Sequence, residues 1–313
     1  MNQEIYMKEY QVVVIGGGGA GLTAALYTSR AKLTTALIEK LTPGGQIALT
    51  DLVENYPGFP EGILGPEISM KMEEQARKYG TEILYKEVKQ IKQNAEDKSF
   101  ILEMADEQIR AKSVILAAGA SFRMLGVPGE KELTGKGVSY CATCDGAFFK
   151  DKEVVVVGGG DSALQEGLFL TRFATKVTII HRRDQLRASP ILQQRAKEHE
   201  KIDFIWDTTV EEVKGTGKVE TIVLKNVKSG EKSDFVTQGI FIFIGHDPNS
   251  GFIKDFVELD EHQYVKSLAG TVKTSIPGVY AAGEIRAGAT KQLIAACGEG
   301  CEAALAAQAY LED

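Results

Sequence analysis

No uninterrupted apolar run in this chain approaches the roughly 18 residues that a membrane-spanning helix needs. The first ten residues, Met1 to Tyr10, are polar and carry Glu4, Lys8 and Glu9, so the charged, apolar, small-residue order of a secretory leader is missing as well. These absences point to a soluble, cytoplasmic protein with no membrane partner. Basic surplus is also lacking: the net charge of −7 leaves no general surface for neutralising phosphates and argues against nucleic acid as a partner. Four cysteines are too few for a disulfide framework. Internal repeats, low-complexity tracts and long Pro-rich or Ser-rich linkers are absent, so domains in this chain must be joined by short crossings.

The length of 313 residues exceeds what one core usually fills, and two domains are the expectation. An apolar, β-branched run from Tyr10 to Ile15 ends in the glycine-rich turn Gly16 to Gly21, after which Leu22, Ala25, Leu26 and Ser29 recur at helical spacing. A second run, Thr35 to Ile38, closes a βαβ unit and delivers Glu39. The same grammar returns at Glu153 to Val157, the turn Gly158-Gly159-Gly160-Asp161-Ser162-Ala163, a helix marked by Leu164, Leu168 and Phe169, and a strand from Val177 to Ile180. Two such units imply two nucleotide sites, one per domain. The turn-rich stretches at Gly126 to Gly129 and Gly245 to Asn249 are the candidate crossings, which makes the first domain discontinuous.

In each turn the first glycine permits a tight bend, the second lets backbone approach a pyrophosphate, and the third position lets helix and strand pack closely. Gly16, Gly18 and Gly21 fill these places in the first unit, and Gly158, Gly160 and Ala163, with Ser162 between them, in the second. The units differ in what their second strands carry. Glu39 can accept hydrogen bonds from a ribose diol but would repel a 2′-phosphate, which suits FAD or NAD. The second unit offers His181, Arg182, Arg183 and Arg187, and guanidinium groups there match the 2′-phosphate of NADPH. The alternative for these arginines is a solvated, salt-bridged surface.

Cys141 and Cys144 stand as C-x-x-C, a spacing that lets two sulfurs bond and often yields a reactive thiolate. Asp145 follows directly, and a carboxyl beside a thiol pair can carry the proton that dithiol formation requires. The four cysteines could instead hold zinc. Cys297 and Cys301 lie in an Ala-rich and Gly-rich helical stretch, where packing is the simpler account.

At these residues the chain resembles the low-molecular-weight thioredoxin reductases, and the likeness runs through essentially all of it. It is carried by Pro43-Gly44-Gly45-Gln46, Glu54-Asn55-Tyr56-Pro57-Gly58, Cys-Ala-Thr-Cys-Asp-Gly, the Gly-Gly-Gly-Asp-Ser-Ala turn, His-Arg-Arg-Asp, Gly-His-Asp-Pro-Asn and Ala281-Ala282-Gly283-Glu284. The resemblance implies an α/β protein of two Rossmann-like domains of the three-layer ββα kind, assembled as a homodimer. Residues 1–119 and 247–313 would hold FAD, and residues 120–246 would hold NADPH and the redox pair. Gly44, Gly45, Gln46 and Asn55 would lie near the flavin, and Gly283, Glu284, Ile285, Lys291 and Gln292 would complete that site. Cys144 would face the flavin, Cys141 would attack oxidised thioredoxin, and Asp145 would serve as the acid. Glu284 stands where the family usually has Asp, Lys291 where it has Arg, and Gln165 where Glu is common. A related flavin dithiol enzyme fed by ferredoxin or flavodoxin, a dithiol oxidase and a non-catalytic redox sensor share parts of this pattern, although a ferredoxin-fed enzyme would not need Arg182 and Arg183.

Overall fold

Two compact units make up the chain in the computed structural model, which describes residues 7–49 and 52–312 apart from the side chains of Leu52 and Cys144. One unit comprises Met1–Ser121 and Asp247–Asp313, and the other Phe122–His246. In the first, strand β1 (Lys8–Ile15) leads through the glycine turn into helix α1 (Gly19–Arg30) and on to strand β2 (Thr35–Glu39), which pairs parallel to β1 with Val12 opposite Thr35. The sheet has seven strands: Glu82–Tyr85, β2, β1, Gln108–Leu116, Phe100–Glu103 and Gln90–Gln93 in order, with Val279–Ala281 also paired to Gln108–Leu116.

The second unit repeats the plan with strand β3 (Glu153–Gly158), helix α2 (Asp161–Leu170) and strand β4 (Lys176–Ile180), where Val154 pairs with Val177. Its five-stranded sheet runs Val138–Ser139, Gly239–Phe243, β3, β4 and Ile202–Ile205, all parallel, and a separate antiparallel sheet of three strands spans residues 208–236. The chain crosses between units at Ser121–Phe122 and His246–Asp247. The Gly245–Asn249 turn therefore sits on a crossing. The turn at Gly126–Gly129 lies a few residues inside the second unit, where the Glu130 carboxylate accepts N–H bonds from Leu125 at 2.7 Å and Gly126 at 2.6 Å.

Period-two alternation in the strands feeds two cores in each unit, because successive side chains point to opposite faces. Val12 and Val14 of β1 pack under α1, while Val13 and Ile15 pack beneath the Phe100 and Leu102 strand. In the second unit Val154 and Val156 face α2, and Val155 and Val157 face the antiparallel sheet through Ile222 and Leu224. The second unit is thus a three-layer arrangement, helices on one face of a parallel sheet and a separate antiparallel sheet on the other, whereas in the first the antiparallel strands Phe100–Glu103 and Gln90–Gln93 continue the same sheet. Among the described residues no helix is long and apolar enough to cross a membrane.

The return of the chain to the first unit ends in helix α3 (Leu293–Glu312), which packs on α1. Small residues make that approach possible: a Cβ on Gly300 would lie 2.2 Å from the Ala20 carbonyl oxygen. Gly300→Ala should therefore lower the melting temperature by several degrees. Overpacking against backbone costs about 1–3 kcal/mol, more than the roughly 0.5–1 kcal/mol that alanine otherwise contributes within a helix. A thermal melt that shows no loss would contradict this packing.

Candidate functional site

The first turn is built by close backbone contact. Gly16 has a φ of +105°, and a Cβ there would lie 2.3 Å from the Ala117 oxygen; a Cβ on Gly21 would lie 1.8 Å from the Gly16 oxygen. Gly18 begins α1 with no side-chain cap, and a Cβ there would meet nothing within 4 Å. The helix therefore presents amides and a partial positive charge beside open space, the arrangement that accepts a phosphate. At the end of β2, Glu39 accepts the Gly17 N–H at 2.8 Å through one oxygen and the Leu41 N–H at 2.9 Å through the other. Both bonds leave lone pairs on the carboxylate for hydroxyl donors.

Of the residues that the resemblance implies for this unit, Gly44, Gly45 and Gly283 lie against the same turn. Gly44 donates its N–H to the Gly17 oxygen at 2.6 Å, and a Cβ on Gly45 would come within 3.2 Å of the Gly18 Cα. The Gln46 side-chain amide donates to the Ala120 oxygen at 2.8 Å and reaches the Glu284 carboxylate at 3.5 Å. Asn55 donates to the Gln292 side chain at 2.8 Å. Ile285 is fully buried in the core that holds Val13 and Phe100, and Gly283 takes a φ of +75°. Lys291 lies over the Tyr264 ring, 5.6 Å from its centroid.

The second turn follows the same rules with alanine in the third place. A Cβ on Gly158 would meet the Phe243 oxygen at 2.4 Å and the Ala163 Cβ at 2.7 Å, so strand and helix are already in contact. Gly160 begins α2 without a side-chain cap, again with open space at its Cα, and Ser162 is exposed beside it. His181 is buried under Gly159, its Nε2 3.1 Å from the Gln185 oxygen; burial pushes its pKa down, and the charges of Arg187 and Arg183 add to the shift. Arg182, Arg183 and Arg187 are exposed, and among the described residues no carboxylate pairs with them.

The cysteines separate into two kinds. Cys141 is disulfide-bonded, whereas Cys297 and Cys301 are free thiols on α3. The side chain of Cys144 lies outside the described residues, although its backbone belongs to the single helical turn Ala142–Asp145. Asp145 accepts a hydrogen bond from Ser139 at 2.6 Å. Cys297 is buried against α1, with its Sγ 3.7 Å from the Gly19 oxygen, and burial raises its pKa. Among the described residues no three His, Cys, Asp or Glu side chains gather as a metal site requires.

A model of the pyridine nucleotide-disulphide oxidoreductases matches residues 10–300. A thioredoxin reductase of Bacillus subtilis (strain 168) is 51% identical over 307 residues, 98% of this chain and 96% of that one. The crystal structure of Lactococcus lactis thioredoxin reductase in its FR conformation shares 46% identity at a TM-score of 0.94, covering 97% of this chain and 99% of its own. That of the T. acidophilum thioredoxin reductase shares 37% at 0.91, covering 96% and 98%. The chain belongs to the pyridine nucleotide-disulphide oxidoreductases, among the thioredoxin reductases.

In this thioredoxin reductase family member, residues without a sequence motif fix the site from a distance. Glu299 on α3 accepts the Gly283 N–H at 2.7 Å and forms a largely buried ion pair with Arg286, so the Gly283-Glu284 bend is held from below. The signal is weak in sequence because a Glu in an Ala-rich helix reads as a solvated face. Ser139 was missed for a similar reason: a serine ending a two-residue strand carries no motif of its own.

Burial raises the Glu284 carboxyl above its ordinary value, and Lys291 offsets this in part. A carboxyl whose folded pKa exceeds its unfolded one keeps its proton longer when folded, so its contribution to stability falls as pH rises above the unfolded value of about 4.3. In flavin-free protein, Glu284→Gln should melt higher than the parent at about pH 7 and equally near pH 4. An identical gap at both would contradict the burial account.

Proposed function

We propose that this chain is an NADPH-dependent thioredoxin reductase that uses FAD and a Cys141–Cys144 disulfide. The observation that carries the reading is the division of charge: disulfide-bonded Cys141 shares a unit with three unpaired arginines at the second glycine turn, while the first turn is served by Glu39. In this reading FAD occupies the unit of residues 1–121 and 247–313, and NADPH the unit of residues 122–246. Bound FAD supplies a carrier that accepts an electron pair from NADPH and passes it to a disulfide.

The chain's own residues bind, orient and move protons. The uncapped starts of α1 and α2 hold pyrophosphates, and the open Cα positions of Gly18 and Gly160 leave room for them. Glu39 accepts ribose hydroxyls. Arg182, Arg183 and Arg187 grip the 2′-phosphate, and His181, kept neutral by burial, packs beneath Gly159. Gln46, Asn55, Glu284, Ile285, Lys291 and Gln292 orient the flavin half of FAD. Cys141 would be the thiolate that attacks oxidised thioredoxin, Cys144 its disulfide partner, and Asp145 the acid. The protein works as a cytoplasmic homodimer.

Purified protein should be yellow, and NADPH with a thioredoxin and a disulfide dye should give turnover that Cys141→Ser abolishes. Replacing Arg182 and Arg183 by Ala should raise KM for NADPH by at least about 10-fold, the size expected for lost charge-assisted hydrogen bonds, and leave KM for NADH unchanged. If NADPH bleaches the flavin but no thioredoxin speeds dye reduction, the partner is wrong; equal effects on both nucleotides would overturn the 2′-phosphate assignment.

A further inference from the structure

The hydroxyl of Ser139 sits at the centre of the redox loop. Ser139 is buried at the end of strand Val138–Ser139, where it pairs with Phe241 in the parallel sheet. Its Oγ lies 2.6 Å from Oδ2 of Asp145, accepts the Cys141 N–H at 3.1 Å and lies 3.1 Å from the Cys141 carbonyl oxygen. That carbonyl also accepts the Asp145 N–H at 3.2 Å, which closes the turn. The next residue anchors the strand on its other side: the Tyr140 hydroxyl donates to the buried Glu130 at 2.7 Å.

A serine hydroxyl has one proton and two lone pairs, and here it has two acceptors within reach. When Asp145 is ionised it can only accept, so the Ser139 proton must point to it; the 2.6 Å separation is that of a charge-assisted O–H···O⁻ bond. When Asp145 carries a proton it can donate to Ser139 Oγ, and the Ser139 proton turns to the Cys141 carbonyl. Every polar group is satisfied in both states, and only a hydroxyl rotation separates them. A carboxyl lacking such a neighbour would lose this partner in one state or the other.

We propose that Ser139 is a positioning residue for thiol–disulfide exchange, holding Asp145 in one place through both of its protonation states. The inference rests on the reading of Asp145 as the acid. In the step it serves, the Cys141 thiol gives its proton to the Asp145 carboxylate as its sulfur bonds to one sulfur of the thioredoxin disulfide. The thioredoxin S–S bond breaks, and the departing thiolate takes the proton from Asp145. The second thiol of the pair then attacks the Cys141 sulfur, breaking the mixed disulfide and releasing the other thioredoxin sulfur with the attacking thiol's proton. Thioredoxin gains two electrons and two protons, and the enzyme dithiol loses them.

The test compares the flavin-loaded enzyme with Ser139→Ala, Ser139→Thr and Asp145→Asn. Ser139→Ala should lower kcat with thioredoxin by roughly 10-fold, a fraction of what general acid catalysis contributes, with KM for thioredoxin unchanged. Its solvent isotope effect in D₂O should rise as proton transfer becomes limiting. Ser139→Thr, which keeps the hydroxyl, should recover the rate, and NADPH should bleach the flavin of both Ser139 variants at the parental rate. The proposal is overturned if Ser139→Ala keeps its kcat and isotope effect, if Ser139→Thr is as impaired as Ser139→Ala, or if flavin bleaching falls in step with kcat, which marks a general structural defect. Should Asp145→Asn turn over thioredoxin at the full rate, the acid assignment itself fails, and the role of Ser139 with it.

Discussion

Two helices in this protein begin on glycine without a side-chain cap among the described residues, and the rest of the structure is organised around that constraint. A side chain at Gly16, Gly21 or Gly158 would drive into neighbouring backbone, so the turns exist only because these positions are bare. The bare turns place the starts of α1 and α2 at the carboxyl ends of parallel sheets, where nucleotides bind in doubly wound folds. Hydrophobic cores on the two faces of each parallel strand set then hold sheets, helices and antiparallel strands in register around them.

With Gly18 and Gly160 both extended at the helix starts, discrimination falls to the strand that follows. One carboxylate at Glu39 and a cluster of unpaired guanidiniums at Arg182, Arg183 and Arg187 are opposite electrostatic choices on the same scaffold. In the proposed reading, partitioning of this kind would let a single chain hold two related dinucleotides, because a 2′-phosphate would be repelled at one site and held at the other. The redox pair shares its unit with the arginines, and the small-residue seam between α1 and α3 leaves Cys297 as a packed, free thiol.

Much of this was legible in the sequence because it is written locally. Alternating apolar runs, glycine turns and the residues just past the second strands lie within a few tens of residues of one another, and both βαβ units stand where those patterns put them. What escaped depends on groups brought together by folding. Glu299 reaches Gly283 from a different element, Glu130 caps a turn that composition alone marks as a crossing, and Ser139 matters only through its distance to Asp145. None of these carries a spacing rule, since their partners are chosen by packing rather than by periodicity.

The central claim is that flavin and disulfide act as two connected electron stores in one chain. Anaerobic titration of the purified protein with dithionite, followed by flavin absorbance and thiol content, tests it most directly. The account predicts uptake of two electron pairs per chain, one bleaching the flavin and one releasing two thiols that include Cys141. Uptake of a single pair, with the flavin bleached and Cys141 still in its disulfide, would contradict it.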